Sequence, residues 1–364
     1  MARKRADGEG TVYYSEQLGR WVGQVSLPNG KRKTKYGKTQ KEVKDWILSQ
    51  RDALQKGVWV EQDKVTLSEF LARYMTDVAA HTLRPKTIES YTYVIRNHIT
   101  PDLGKVRLTA LRPDHLQKLY SDKLASGLSP RTVHYIHAVL HKSLGHALKW
   151  GLVNRNVATL VDSPSQKKKE PTTWTAQEAS RFLESVKESR FYPMYCLALC
   201  GLREGEILGL HIEDFNSQEQ IVTIRHAVQY LVGKGLVITE PKTEKARRSV
   251  KLPGFAYEAL KKHCDSLNKN QGLMFTTSNG TPFSPRNFFR DFKESSSKAG
   301  LPEIRFHDLR HTTVSILIGM GVPPSVVQSI VGHTSPLLTL SVYTHMTTSM
   351  QNEAAEKMNN LMQS

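Results

Sequence analysis

Six side chains in the second half of the sequence have the types and order needed for chemistry on a phosphate group. They are two arginines, two histidines, a lysine and a tyrosine, namely Arg203, Lys242, His307, Arg310, His333 and Tyr343. Two fixed guanidinium groups can hold the non-bridging oxygens of a phosphate and stabilise the charge that develops in a pentavalent transition state. The set therefore indicates a site that binds a phosphate group.

The local sequence around each arginine indicates how it is presented. Arg203 follows Gly201 and Leu202, and this glycine interrupts an apolar helical pattern where backbone can approach a ligand closely. An ion pair with Glu204 or Glu206 is the alternative role for Arg203. Arg310 lies three residues after His307, so the two side chains share one face of a predicted helix.

A zinc site is the competing interpretation of the histidines. His307 and His311 are one helical turn apart, and His333 follows later. The zinc-binding form His-Glu-x-x-His has glutamate directly after the first histidine, whereas this sequence has Asp308, and Arg310 would face the ion. We therefore expect no metal. The sequence also has no Gly-x-x-x-x-Gly-Lys-Ser/Thr loop, so we expect no nucleotide cofactor.

Composition favours a polyanionic partner. The 364 residues have a net charge of +17 and a pI near 9.7, and residues 1–60 contain thirteen Lys or Arg against six Asp or Glu. The three cysteines show no paired metal spacing and are expected to be core residues. There is no run of about 18 apolar residues and no secretory signal, so we expect no membrane contact and a cytoplasmic location.

The sequence predicts a multidomain α+β protein that begins with a small β-β-β-α module. Alternating apolar residues in 11–14, 21–26 and 31–36 indicate three strands, and Thr39 with Glu42 indicates the start of a helix. Side chains alternate across a strand, so such a sheet can pack one face on the helix and turn basic residues to phosphates. The basic candidates in this module are Arg20, Lys31, Lys33 and Lys35.

An all-α domain is predicted next. Four helices are expected from Thr66, over 86–99, over 112–126 and over 129–150. Lys86 and Arg131 are among its basic residues; they suit phosphate contacts, although a solvated face would look the same. The charged, proline-bounded segment 163–171 has no periodicity and is predicted to be a linker.

The remaining region is predicted to be mainly helical with a small sheet. Helices are expected after Thr175 and over 192–210, 254–267, 285–299, 307–320, 324–331 and 338–345. Short strands are expected over 220–225, 237–239 and 248–252.

Five motifs in this region occur in the order of a known family. They are Gly-Leu-Arg203-Glu-Gly-Glu, Pro-Lys242-Thr, His307-x-x-Arg310, Gly-His333, and Tyr343 ten residues after that histidine. In this order and spacing the chain resembles the tyrosine recombinases, which include the phage and transposon integrases and the Xer-type enzymes. The resemblance covers nearly the whole chain. One departure is Cys200, where many relatives have threonine.

The resemblance implies a role for each residue. Arg203 and Arg310 would bind the scissile phosphate, and His333 would donate a hydrogen bond to it. Tyr343 would attack and form a 3′-phosphotyrosyl link. The 5′ oxygen must be protonated as it leaves, a task for Lys242 or His307, with Lys245 as the alternative lysine. The covalent ester preserves the energy of the broken bond, so neither a nucleotide nor a metal is required.

The resemblance also implies an integrase that joins a mobile element to a host site. Its partners would be double-stranded DNA with core and arm attachment sites, a homotetramer on that DNA, a directionality factor and a host DNA-bending protein. It would act at the nucleoid. Its expected domains are an arm-binding module (1–62), a helical core-binding domain (63–162), a linker (163–171), a catalytic domain (172–348) and a C-terminal tail (349–364).

Two alternatives stay open at the level of sequence. A Xer-like resolvase of DNA dimers would use the same chemistry, but such enzymes generally lack a module like residues 1–62. A catalytically silent DNA-binding regulator would lack an active-site residue, and all six are present. The tail could dock on a neighbouring subunit or cap its own domain.

Overall fold

A computed structural model describes most of the chain and divides it into two compact units, Met1–Lys168 and Lys169–Ser364. The described residues are 10–26, 32–55, 64–165, 172–239, 247–267, 270–332, 355–356 and 358–363. Lys31, Lys242, Lys245, His333 and Tyr343 lie outside them, as do the predicted helix 338–345 and part of the linker.

The first unit begins with the predicted β-β-β-α module. Strands β1 (Thr11–Ser15), β2 (Arg20–Ser26) and β3 (Arg32–Gly37) form an antiparallel sheet in that order. Helix α1 (Gln40–Gln55) packs on the sheet, and its first turn is capped by the side chain of Thr39, which accepts the backbone N–H of Glu42 at 3.2 Å. The predicted order of three strands and one helix is therefore confirmed. It could be predicted because the sequence changes from a period of two residues in the strands to a period of 3.6 residues in the capped helix.

The helical part of the first unit is built from four helical rods. They consist of α2 (Leu67–Tyr74) continuing into α3 (Ala80–Thr82), α4 (Pro85–Val94) continuing into α5 (Thr100–Leu103), α6 (Pro113–Ala125) and α7 (Pro130–Lys149). A π-helical turn joins the two segments of each of the first two rods. Their apolar faces meet in one core that includes Leu71, Tyr74, Leu116, Ile136 and Leu140. The four predicted helices are confirmed.

The second unit is mainly helical. Its helices are α8 (Ala176–Ser185), α9 (Tyr192–Leu199), α10 (Glu204–Leu208), α11 (Gly254–Asp265), α12 (Pro285–Lys298), α13 (Asp308–Gly319) and α14 (Pro324–Val331). Aromatic side chains of several helices form the centre of its core, where Phe182, Tyr195, Phe288 and Phe292 stack or meet edge to face. None of the described helices has both the length and the apolar composition needed to cross a membrane.

Two small antiparallel sheets complete the second unit. One contains β4 (Phe215–Asn216), β5 (Ile221–Thr223) and β8 (Ser249–Lys251) in that order, and the other is the hairpin of β6 (Ala227–Leu231) and β7 (Gly235–Thr239). The segment that carries Lys242 and Lys245 lies between β7 and β8 in the sequence and outside the described residues. Strands β4 and β6 were missing from the sequence prediction.

The structure corrects one predicted helix. The segment 192–210 is not continuous, because α9 ends at Leu199 and α10 begins at Glu204. Gly201 has a φ of 87°, a left-handed conformation that interrupts helical hydrogen bonding and that residues with a side chain rarely adopt. This break places Arg203 at the N-terminus of a new helix.

Candidate active site

The break between α9 and α10 is the point where three helices of the second unit converge. A Cβ on Gly201 would lie 2.8 Å from Cγ1 of Val331 at the end of α14, so only glycine allows this approach. From α13, the hydroxyl of Thr313 donates to the carbonyl of Leu199 at 2.9 Å. The ends of α9 and α14 and the first half of α13 are therefore held together around Gly201.

Arg203 lies at the N-terminus of α10, with its side chain about one-third exposed. Its Nη1 donates to Oε1 of Glu206 at 2.6 Å, and its Nη2 donates to the carbonyl of Gly332 at 2.9 Å. The backbone N–H of Arg203 also donates to Oε2 of Glu206 at 2.9 Å. The ion pair that the sequence left as an alternative role is thus present, and it fixes the guanidinium while leaving part of it accessible.

Arg310 is a buried cation in the first turn of α13, with 1% of its surface exposed. Its Nη1 donates to the carbonyl of Gly201 at 2.5 Å. Its Nε and Nη2 are buried and have no hydrogen-bond partner among the described residues. Burial, together with the neighbouring cations Arg203 and Arg248, lowers the pKa of Arg310 to about 9. The guanidinium is therefore held in a place that strongly favours an anion.

His307 immediately precedes α13 and lies beside the two arginines. Partial dehydration, followed by the neighbouring His311, lowers the pKa of His307 to about 4, and Arg310 and Arg203 act in the same direction. The His307 ring meets the His311 ring edge to face at 5.3 Å. A neutral imidazole at this position can accept a proton.

Three of the six predicted catalytic residues are thus brought into one electrostatic neighbourhood. Arg203 and Arg310 both lower the pKa of His307, and Arg203 lowers that of Arg310. The other three, Lys242, His333 and Tyr343, lie outside the described residues. The last described residue before His333 is Gly332, whose carbonyl is already bound to Arg203.

The basic residues of the first module lie on two different faces of its sheet. Lys33 and Lys35 point towards α1, where Lys33 donates to Gln50 at 3.4 Å and Lys35 lies 3.5 Å from a carboxylate oxygen of Glu42. Arg20 is exposed at the start of β2, and the alternation of side chains places it on the face opposite Lys35. The sequence groups Arg20, Lys33 and Lys35 as predicted phosphate contacts, because it does not indicate which face of the sheet α1 covers.

Lys86 and Arg131 occupy similar positions in the helical part. Each follows the proline at the start of a helix, α4 for Lys86 and α7 for Arg131. The Lys86 ammonium forms an ion pair with Glu89 at 2.7 Å, and Arg131 is exposed.

A second cluster of histidines lies around Asp214, which is 3% exposed. The Nδ1 atoms of His211 and His226 are 3.9 and 4.0 Å from Oδ2 of this carboxylate. These three side chains are of the types that bind metal ions, but Asp214 and His211 have other partners. Arg225 pairs with Asp214 at 3.1 Å, and Nδ1 of His211 lies within hydrogen-bond distance of the carbonyl of Gly209 at 3.1 Å. Asp214 also accepts the backbone N–H of His211 at 3.0 Å. These contacts explain the cluster as a brace for the turn before β4.

Arg248 was missed in the sequence prediction. It begins the approach to β8, its side chain is 7% exposed, and it forms a two-pronged ion pair with Glu206 at 3.1 and 2.9 Å. The neighbouring Arg247 is exposed. The two arginines are adjacent in the sequence, and only their tertiary contacts distinguish the buried one from the exposed one.

Comparison with known proteins assigns the chain to a family. The model of the phage integrase family matches residues 173–350, and the model of the phage integrase N-terminal SAM-like domain matches residues 66–124. An integrase of Saccharopolyspora erythraea is 25% identical, with 99% of this chain and 98% of the relative covered. A XerC-like tyrosine recombinase of Caldanaerobacter subterraneus subsp. tengcongensis is 26% identical, with 92% and 93% covered.

Solved structures show the same fold. The integrase of the Tn1549 transposon in complex with transposon right end DNA is 20% identical with a TM-score of 0.67, and the match covers 80% of this chain and 99% of that one. A lambda integrase tetramer bound to a Holliday junction is 17% identical with a TM-score of 0.58, and the match covers 89% of this chain and 96% of that one. With the two family matches and the arrangement of Arg203, His307 and Arg310, the chain belongs to the phage integrase family of tyrosine-type site-specific recombinases.

Proposed function

We propose that this protein is an integrase that cleaves and rejoins DNA at specific sites and so integrates and excises a mobile element. The observation that carries the proposal is the state of Arg310, a buried guanidinium with two nitrogen atoms that lack a hydrogen-bond partner among the described residues. A buried and incompletely paired cation is unfavourable by itself, and a bound anion relieves that cost. A DNA phosphate at this point would also meet the accessible part of Arg203.

The proposed reaction is a transesterification at the scissile phosphate. The phenolic oxygen of Tyr343 attacks the phosphorus, a bond from this oxygen to phosphorus forms, and the bond to the 5′ oxygen breaks. Neutral His307 is placed to accept the phenolic proton, while Lys242 donates a proton to the leaving 5′ oxygen. Arg203, Arg310 and His333 stabilise the charge on the non-bridging oxygens. Attack by a 5′-hydroxyl of the partner strand reverses these steps and frees the tyrosine.

Double-stranded DNA is the proposed substrate and partner. The related Tn1549 and lambda integrases have been solved with DNA, and a net charge of +17 suits a polyanion. We extend to this chain the tetrameric assembly seen for lambda integrase on a Holliday junction. A directionality factor and a host DNA-bending protein would complete the assembly, which would act at the nucleoid of a bacterial cell.

The sequence segments receive corresponding roles. Residues 1–62 would bind arm sites, 63–162 would bind the core site, 163–171 would link them to the catalytic domain of 172–348, and 349–364 would form a tail. Arg20 is the arm-site contact favoured by its exposed position, and Lys86 and Arg131 are the core-site contacts. Lys33 and Lys35 would reach DNA only past α1, and the proposed contact of Lys31 rests on the sequence alone.

A two-duplex recombination assay tests the proposal. The substrates are taken from the junctions that flank the gene and from the corresponding uninterrupted host site. We expect recombinant products without added metal or nucleotide, and none with the Tyr343→Phe variant. Recombinants from that variant, or none from the wild type on any junction when an extract of the host cell supplies the accessory proteins, would contradict the proposal.

Resolution of DNA dimers is a second candidate, because the XerC-like relative matches 92% of this chain. Both activities use the same cleavage step. A resolvase would recombine two copies of one site without arm sequences, whereas the proposed integrase requires two different sites with arms.

A further inference from the structure

Arg248 is a buried arginine for which the proposed reaction has no role. Its three nitrogen atoms are all engaged: Nη1 and Nη2 with the two oxygens of Glu206, and Nε with the carbonyl of Ile330 at 2.8 Å. With 7% of its side chain exposed, Arg248 offers almost no accessible surface to a DNA phosphate. Apart from the positive charge that it places near Arg310, Arg248 can therefore affect the reaction only through the groups that it holds.

One of those groups is Glu206, which lies between two arginines. Its carboxylate accepts two hydrogen bonds from Arg248 and two from Arg203, one of them from the backbone. Burial opposes ionisation of Glu206, but the bonds to Arg248 and then those to Arg203 lower its pKa. A carboxylate fixed by a planar, two-pronged partner has one orientation, and that orientation determines where Arg203 lies.

The other group is the end of α14. Arg248 binds the carbonyl of Ile330, and Arg203 binds the carbonyl of Gly332, so both arginines hold the same helix end. Gly332 has a φ of 64°, and a Cβ on it would lie 3.0 Å from Cδ of Arg248. The arginine therefore packs against the residue that directly precedes His333 in the sequence.

We propose that Arg248 is a positioning residue that fixes Arg203 through Glu206 and through the end of α14, which both arginines bind. This inference rests on the proposed function, in which Arg203 binds the scissile phosphate. Loss of Arg248 would leave the buried carboxylate of Glu206 with Arg203 as its one arginine partner. The carboxylate could then change its orientation, and Arg203 would move with it. DNA affinity would change little, because only 7% of the Arg248 side chain is exposed.

The first test compares Arg248→Met with Arg247→Met on a nicked duplex that carries the core site. Both variants lose one positive charge at adjacent positions, but only Arg248 binds Glu206. We expect single-turnover cleavage by Arg248→Met to be about thirtyfold slower and core-site affinity to change by less than about threefold. Arg248→Lys should remain slow, since lysine cannot form the two-pronged pair. Equal rates for the Arg248→Met and Arg247→Met variants would overturn the proposal.

A double-mutant cycle separates positioning from general support of the fold. If Arg248 acts through Arg203, Arg248→Met should cost less than about threefold in an Arg203→Ala background. The same thirtyfold loss in both backgrounds would show an independent role and overturn the proposal. The proposed function fails separately: wild-type cleavage by Arg203→Ala would remove the phosphate role of Arg203 itself.

Thermal melting of each variant identifies effects of misfolding. Should Arg248→Met be unfolded at the assay temperature, Glu206→Gln and Arg248→Lys replace it, since both keep the volume of the side chain nearly unchanged. We expect each to melt above the assay temperature and to cleave at least about tenfold more slowly than Arg247→Met. Cleavage at the rate of Arg247→Met by both would overturn the proposal.

Discussion

Arg310 donates a hydrogen bond from Nη1 to the carbonyl of Gly201, a residue 109 positions earlier in the sequence. This contact joins α13 to the break after α9, the same break that presents Arg203. Because Gly201 has a left-handed conformation, its carbonyl is not used within a helix and can accept the guanidinium. One glycine thus sets the positions of both arginines of the proposed phosphate site.

Replacing Arg310 should separate stability from activity. Arg310→Met removes a buried charge but keeps a long side chain, so we expect the free energy of unfolding of the DNA-free protein to rise by about 1–3 kcal/mol. Cleavage of a nicked core site should fall by at least about a hundredfold. Urea unfolding and single-turnover cleavage measure the two effects. The exposed Arg286→Met is the control, and a less stable Arg310→Met protein would contradict the explanation.

Glu204 should make stability depend on pH. Burial raises its pKa to about 7 from an ordinary 4.5, and its Oε1 has no hydrogen-bond partner among the described residues. Between these pH values the folded chain holds a proton that the unfolded chain releases, so stability falls as pH rises. We expect Glu204→Gln to raise the free energy of unfolding at pH 8 by up to about 3 kcal/mol, with no gain at pH 4.5.

Urea unfolding at several pH values measures this difference. The exposed Glu188→Gln changes the net charge equally and should show no such pH dependence. A Glu204→Gln variant that is less stable than the wild type at pH 8 would show that the carboxylate is ionised and paired.

A 5′-bridging sulfur should identify the general acid. A thiolate leaves without protonation, so the defect of a missing acid disappears on such DNA. We expect Lys242→Ala to cleave normal DNA very slowly and sulfur-substituted DNA nearly as fast as the wild type. Lys245→Ala should show only a mild binding loss on both substrates, and Arg310→Ala should not be rescued. If Lys245→Ala is rescued instead, Lys245 is the general acid. If neither lysine variant is rescued, His307 is favoured as the general acid.

Removal of residues 1–62 should affect integration and not cleavage. We expect the shortened protein to cleave a nicked core site within about threefold of the wild-type rate, because Arg203, His307 and Arg310 are unchanged. Recombination between two sites with arms should be lost. Competition binding at physiological salt provides the second measurement: indifference of the module to DNA sequence would reduce it to a non-specific anchor.

The sequence predicted the local elements well and the tertiary relationships poorly. Capping residues such as Thr39 and Thr175 mark helix starts that the structure contains. The hairpin of β6 and β7 was only half recognised, although Gly233 and Gly235 mark its turn with positive φ angles.

Arg247 and Arg248 illustrate the limit of sequence reasoning. They have the same side chain at adjacent positions, and the contact of Arg248 with Ile330 spans 82 residues. Lys33 and Lys35 show the same limit in another way. The sequence indicates two faces of the sheet, but only the packing of α1 decides that the face with these two lysines is the covered one. The motifs around Arg203 and Arg310 were recognisable because their order along the chain is itself the signal.

The chemical identity of the protein–DNA link is the most direct test of the proposed reaction. The full-length protein is incubated with a nicked core-site duplex, the covalent product is digested with trypsin and nuclease, and the modified peptide is sequenced by mass spectrometry. We expect a 3′-phosphate of DNA joined to the phenolic oxygen of Tyr343, and no covalent product from Tyr343→Phe. A link to another residue, a link through a 5′-phosphate, or an adduct with the Tyr343→Phe protein would contradict the proposed reaction.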